Sequence, residues 1–190
     1  MRALASPAHF CIVAAWLVMG FATVFRARPP QARETHRAGG WSWGLFLQIV
    51  SIGMLWAFAR PEPPSLLLSV VAILLAAASV AVILAAQRAL GRQFAYQARL
   101  VEGHRLITAG PYRYVRNPIY TALFGLALAT GLVVSRWFVL PVFAALYIAG
   151  TVVRIRIEER LLRAAFGPEF EAYARRVPAL IPIPFRSAPV

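Results

Sequence analysis

Five stretches of the chain carry no formally charged side chain: Ala3 to Phe25, Ala38 to Ala59, Pro63 to Gln87, Asn117 to Ser135 and Trp137 to Val153. They are 23, 22, 25, 19 and 17 residues long. A helix needs about 20 mainly apolar residues, within a range of about 17–25, to cross a hydrocarbon core. The pattern therefore predicts an all-α integral membrane protein with five transmembrane helices. The third stretch is the clearest, because Ser65 to Ala86 is almost wholly Leu, Val, Ile and Ala. The last two meet at Ser135-Arg136 and read as a tight helical hairpin, with Pro141 near the start of its second arm. The rival reading of the first stretch is a cleaved signal peptide, whose apolar core is about 7–15 residues. This run is longer and is followed by Phe25-Arg26, so it reads as a retained helix. The chain is expected to form one membrane unit, 1–190, with a three-helix part over 1–87 and the polar segments and hairpin over 88–190.

Composition agrees with that pattern. Hydrophobic residues make up 60% and charged residues 14%, against roughly 45–50% and 25% in soluble chains. The net charge is +13, and every basic residue is Arg while every acid is Glu. The all-Arg, Ala-rich bias is that of GC-rich coding and points to a bacterial inner membrane. Seventeen of the 20 basic residues fall between the first and second stretches, between the third and fourth, or after the fifth. By the positive-inside rule those segments are cytoplasmic and the N-terminus is outside. The arginines are dispersed at helix ends rather than clustered, so topology accounts for them without nucleic acid. The lack of Asp removes a Ser-His-Asp triad, an EF-hand loop and a Walker-B magnesium site. One cysteine and three scattered histidines give no zinc spacing, so no metal is expected.

Chemistry then has two places to sit, Arg88–Arg116 and Arg154–Val190, both expected at the cytoplasmic face. The first contains Gly110-Pro111, a turn signal, and Pro118, suited to the first turn of a helix with Asn117 as N-cap. Such a helix start offers N–H groups to an anion. Arg113, Arg116, Tyr112, Tyr114 and Tyr120 stand beside it. They suit either a ligand or an interfacial belt of Tyr and Arg, and the residues alone leave both open. The second segment continues the fifth helix. Glu159 and Arg163 are in the favourable i,i+4 order. Glu158 shares a face with Leu161, Leu162 and Ala165, and a carboxylate on an apolar stripe needs a partner. Arg154 or a cationic ligand would serve. Gly167 ends the helix and Pro168 begins another, on which Phe170, Tyr173, Ala174 and Val177 form one face.

At these residues the chain resembles the isoprenylcysteine carboxyl methyltransferase family and its relatives, the membrane phospholipid methyltransferases. Gly103, His104, Leu106, Ile107, Thr108, Gly110, Tyr112, Arg116, Pro118 and Tyr120 fall in register with one family pattern. Glu158-Glu159, Phe166-Gly167, Tyr173 and Arg176-Val177-Pro178 fall in register with a second. The match covers about Gly103 to Pro182. The resemblance implies methyl transfer from S-adenosyl-L-methionine to a lipophilic acceptor, with membrane lipids as surroundings and no soluble nucleotide-binding domain. It makes 88–190 the catalytic part, whose cytoplasmic C-terminal helices complete the cofactor pocket. Carried over by position, His104, Leu106, Gly110, Tyr112, Arg116, Pro118 and Tyr120 line the cofactor. Asn117 joins them where the best-known members have His, and it cannot titrate near neutral pH. Glu158 and Glu159 match the acidic pair, one of which reaches the cofactor's amino group. Arg176 matches the arginine that orients a carboxylate substrate.

An isoprenylcysteine-type carboxylate is the leading acceptor, ahead of a phospholipid amine or a small hydrophobic thiol or acid. A carboxylate or thiolate needs no general base, so positioning and exclusion of water supply most of the rate. The alternative from another class is a non-catalytic transport or assembly subunit. That reading predicts charges or broken helices at mid-membrane depth, and none of the five runs carries a formal charge.

Overall fold

A computed structural model of the chain describes residues 6–26, 34–37, 41–91, 99–101 and 106–181. Among these, six α-helices follow in order: α1 Pro7–Arg26, α2 Trp41–Ala57, α3 Leu66–Leu90, α4 Pro118–Val134, α5 Val139–Phe166 and α6 Pro168–Arg176. Each of the first five occupies one uncharged stretch, and α5 continues past Val153 as the i,i+4 pattern predicts. Three helices are long and apolar enough to cross a membrane: Pro7–Phe25, Leu66–Leu90 and Val139–Phe166. The shorter α2 and α4 have 17 residues each, about 25 Å at 1.5 Å per residue. Leu66 is 82% exposed, Leu74 65% and Phe21 65%. Water would penalise so wide an apolar surface, whereas lipid would not.

The helical expectation needs one addition. Two short strands, β1 Glu34–Arg37 and β2 Arg99–Val101, pair antiparallel with Arg37 opposite Arg99. Neither strand shows the alternation of apolar and polar residues that marks a half-buried strand. Their pairing satisfies backbone groups of two connecting segments that would otherwise need other partners.

The arms of the hairpin are not each other's main neighbours. Helix α4 runs along α3 and also meets α1, while α5 runs along α2. Ile12, Ala72, Ala76, Leu126, Ala129 and Val133 pack between α1, α3 and α4. Leu55, Ala127, Val139, Phe143 and Tyr147 pack between α2, α4 and α5. The α2–α5 crossing depends on two glycines. A Cβ on Gly44 would lie 2.7 Å from the Gly150 carbonyl oxygen, and one on Gly150 would lie 2.6 Å from that of Gly44. Small residues allow such backbone approach, as in other membrane helix pairs.

Candidate functional site

The polar site lies where α4 begins and where α5 runs into α6. Pro118 occupies the first turn of α4 with Asn117 in the N-cap position. The Asn117 side chain makes no capping bond there. Its Nδ2 donates to the Ala179 carbonyl at 3.1 Å and to Glu159 Oε1 at 3.5 Å. The extended tail after α6 explains this, because it lies against the start of α4. Arg116 N donates to the Pro178 carbonyl at 2.8 Å and Asn117 N to that of Ala179 at 3.1 Å. Thr121 Oγ1 donates to Leu180 O at 2.8 Å. The N–H of the N-cap residue itself is thus already used by the tail.

Arg116 is the hub. Its Nε donates to Glu159 Oε1 at 2.9 Å, with the two side chains 14% and 8% exposed. Its Nη1 donates to the carbonyl oxygens of Ala174, at 2.9 Å, and of Val177. Arg116 therefore ties α4's start to both α5 and the end of α6. On the other carboxylate oxygen, Glu159 accepts from Arg163 Nη2 at 3.3 Å, the expected i,i+4 pair. Arg163 Nε also reaches Glu171 Oε1 at 2.8 Å. Neighbouring residues on a helix point about 100° apart, and the two glutamates differ accordingly. Glu158 turns towards α4, where it accepts from the Tyr120 hydroxyl.

Helix α6 folds back because its apolar face needs cover. Phe170, Tyr173 and Val177 pack on Leu106, Leu162, Phe166 and Ala174, the face predicted by their spacing. Glu169 and Glu171 in its first turn and Arg175 and Arg176 in its last complement the helix dipole. The Tyr173 hydroxyl donates to the Tyr112 carbonyl at 2.7 Å, tying α6 to the 3-10 turn Gly110–Arg113.

These elements line a partly open cavity of about 70 Å³. Arg116, Asn117, Glu159, Tyr112 and Tyr173 give it polar edges, and Leu90, Leu106, Ile107, Leu162 and Phe170 give it apolar walls. Burial pushes the Tyr112 hydroxyl well above its ordinary range, with Tyr173 and Glu158 adding to the effect. Burial likewise pushes Tyr173 up to about 12, against the pull of Arg116. Both stay protonated near neutral pH, so neither is a ready base.

Of the site residues expected from sequence, Leu106, Tyr112, Arg116, Asn117 and Glu159 meet at this cavity. Tyr120 and Glu158 pair beside it, and Pro118 is buried at the helix start. Gly110 opens the turn at φ +62°, a backbone conformation that favours glycine. Its role is in bending the chain, and it does not line the cavity. His104 lies outside the described residues. Arg176 stands on the exposed side of α6, where Nε donates to its own helix at Ala172 O, 3.2 Å. The two readings of the tyrosines now separate. Tyr112 and Tyr120 are buried, whereas Tyr114 is 53% exposed beneath the Arg113 guanidinium, as an interfacial pair would be. Ile107 stands in the first family pattern and Leu162 on the apolar face beside Glu158, but neither was expected to line the cofactor, and nothing pointed to Leu90.

The fold and site thus define a helical bundle with membrane-length apolar spans and a buried Arg–Glu centre at its arginine-rich end. Residues 67–169 match the phospholipid methyltransferase family, and the chain belongs to that family. It is 35% identical over 80 residues to the protein-S-isoprenylcysteine O-methyltransferase of Schizosaccharomyces pombe, a match covering 42% of this chain and 34% of that protein. It is 39% identical over 82 residues to the cobalt-zinc-cadmium resistance protein CzcN of Cupriavidus metallidurans, covering 43% of this chain and 37% of that one. It is 37% identical over 71 residues to the methanethiol S-methyltransferase of Crocosphaera subtropica, covering 37% and 27%. The matched segments thus span roughly a quarter to two-fifths of these relatives.

Proposed function

We propose that the chain is an integral-membrane methyltransferase that uses S-adenosyl-L-methionine on a lipophilic acceptor. The observation that carries this reading is the convergence of Tyr112, Arg116, Asn117 and Glu159 on one half-apolar cavity. All four lie inside the segment matched by the family. The donor set suits the cofactor. A carboxylate offers about four acceptor positions. Glu159 uses three, for Arg116, Arg163 and Asn117, which leaves one for an ammonium group. Arg116 spends Nε and Nη1 on protein acceptors. Its Nη2 has no partner among the described residues and suits a ligand carboxylate. The apolar walls suit a nucleoside face. When bound, the cofactor supplies an electrophilic methyl group. The protein's share is to hold the acceptor in line and keep water away.

The acceptor is proposed to be an isoprenylcysteine-type carboxylate, in line with the Schizosaccharomyces pombe relative. The methanethiol S-methyltransferase likeness favours a small thiol as the second reading. A phospholipid amine is the third, and its proton must leave, a step for which the high tyrosines offer no ready base. Five spans, an outside N-terminus and a cytoplasmic site in a bacterial inner membrane are part of the proposal, supported by the arginine distribution. So is the division into a three-helix part, 1–87, and a catalytic part, 88–190.

The test is titration of S-adenosyl-L-methionine against the detergent-solubilised protein and its Glu158→Gln and Glu159→Gln variants. Each replacement removes charge and keeps shape. At least one is expected to weaken binding by about 1–3 kcal/mol, the range for a charged hydrogen bond. No saturable binding by the parent, or equal affinity in parent and both folded variants, rejects the site.

A further inference from the structure

A second polar cluster lies beside the cavity and reaches into a helix outside the family-matched segment. Arg154 is buried on α5, one helical turn beyond the Gly44–Gly150 crossing. Its Nη1 donates to Gln48 Oε1 on α2 at 2.7 Å. Gln48 is 4% exposed, and its own Nε2 donates to Thr151 Oγ1 at 2.8 Å. The guanidinium has no acceptor and so requires the amide oxygen to face it, which leaves the amide nitrogen for the threonine hydroxyl. The Arg154 guanidinium in turn lies over the Tyr120 ring, 4.7 Å from its centroid, and the Tyr120 hydroxyl donates to Glu158. A buried arginine is held by oriented acceptors and aromatic faces, since desolvated charge is costly without them. Arg154 therefore links Gln48 on α2 to the Tyr120 ring on α4.

We infer that Gln48 is a positioning residue of the site. Acting through Arg154, it fixes the ring of Tyr120 and the carboxylate of Glu158. This rests on the proposed cofactor site, with Tyr120 and Glu158, which the family resemblance assigns to the cofactor, serving it from beside the cavity. It makes α2 part of the working unit, although the family match begins only at residue 67. The close approach at Gly44 then has a use beyond packing, because a Cβ there would lie 2.5 Å from Arg154 Cγ. The arginine stem needs the space that the glycine leaves.

The experiment is calorimetric titration of S-adenosyl-L-methionine against the full chain in detergent, with thermal unfolding measured alongside. Gln48→Leu removes the acceptor and is expected to weaken binding about five- to tenfold. Gln48→Glu keeps an oxygen towards Arg154 and is expected to stay within about twofold of the parent. Thr151→Val leaves Gln48 in place but frees its amide, with an expected loss of about two- to fivefold. It serves also if Gln48→Leu does not fold. In a Glu158→Gln background, the effect of Gln48→Leu should shrink below about twofold, because contacts in one network are not additive. Equal losses for Leu and Glu, full additivity with Glu158→Gln, or parent-like binding by Gln48→Leu and Thr151→Val would each overturn the inference. An unchanged affinity in Glu158→Gln alone would overturn it as well. These results differ from failure of the underlying reading, in which the parent does not bind or neither Glu158→Gln nor Glu159→Gln weakens binding. That failure removes this inference too.

Discussion

Each end of the α4–α5 hairpin is closed by an arginine, and the two closures differ in kind. At the turn, Arg60 donates from Nε to Ser135 O at 2.9 Å and from Nη2 to Leu132 O at 3.0 Å. Backbone bonds flank it, from Arg60 N to Val134 O at 2.8 Å and from Arg136 N to Phe58 O at 3.2 Å. That end is a seam that satisfies the last carbonyls of α4 and draws in the α2–α3 connection. At the far end Arg116 also caps carbonyls, those of Ala174 and Val177, but it meets a buried carboxylate as well. The seam uses carbonyl acceptors alone. The site has a carboxylate and guanidinium N–H groups in excess of its internal bonds, facing a cavity. That excess is what the proposed binding site has and a cap lacks.

The comparison breaks most visibly at Arg116. Arg116→Met leaves Glu159 with the long Asn117 contact and with Arg163, which is itself half-exposed, and strips a donor from the Ala174 and Val177 carbonyls. Removing one partner of a buried pair costs about 3–5 kcal/mol. Thermal unfolding in detergent should fall accordingly, and S-adenosyl-L-methionine binding should be lost. A variant that keeps both stability and binding would show that the far end is only another cap.

Arg60→Met sharpens the contrast from the other side. It removes charge-assisted bonds to Ser135 and Leu132 while the flanking backbone bonds survive. The expected loss is about 1–3 kcal/mol of stability. Cofactor affinity should stay within about twofold, because nothing at the seam reaches the cavity. A large loss of affinity at unchanged stability would contradict the division of labour.

These two ends were not equally legible in the sequence. Charge gaps located five helices because an uncharged run of that length has few other uses. The Gly167-Pro168 break, Pro118 at a helix start and the Glu159–Arg163 pair are local signals and were readable as such. The motif residues announced a site, but not which glutamate faces the cavity. That depends on helix rotation against α4, a tertiary fact. Gln48 was hidden because formal charge marked the apolar runs, and an amide carries none. Nothing local marks the role of Arg60, since its acceptors lie more than 70 residues away. For Arg116 the residues left a ligand and an interfacial belt open, and the Ala174 and Val177 carbonyls that take up its Nη1 appear only once α6 folds back. The β1–β2 ribbon joins segments with no strand pattern, so only the pairing itself reveals it.

The smallest expected effect on stability tests the acceptor. Arg175 and Arg176 are both exposed at the end of α6, and Arg176 bonds only to its own helix among the described residues. Exposed charges contribute roughly 0–1 kcal/mol, so Arg175→Lys and Arg176→Lys should both leave unfolding almost unchanged. Turnover can still separate them. The Val177 carbonyl is held by Arg116, so the backbone beside Arg176 is anchored to the site. In the proposed arrangement the Arg176 guanidinium would meet a substrate arriving at the membrane surface. A guanidinium grips a carboxylate through two parallel bonds, a geometry that lysine cannot copy. With a carboxylate acceptor, Arg176→Lys should lower methylation about tenfold or more at unchanged cofactor affinity, and Arg175→Lys should lower neither. The measurement is steady-state methylation of candidate carboxylate, thiol and amine acceptors, with cofactor titration of both variants. Equal and small effects at the two positions would remove Arg176 as a substrate clamp and move the acceptor to the thiol or amine class.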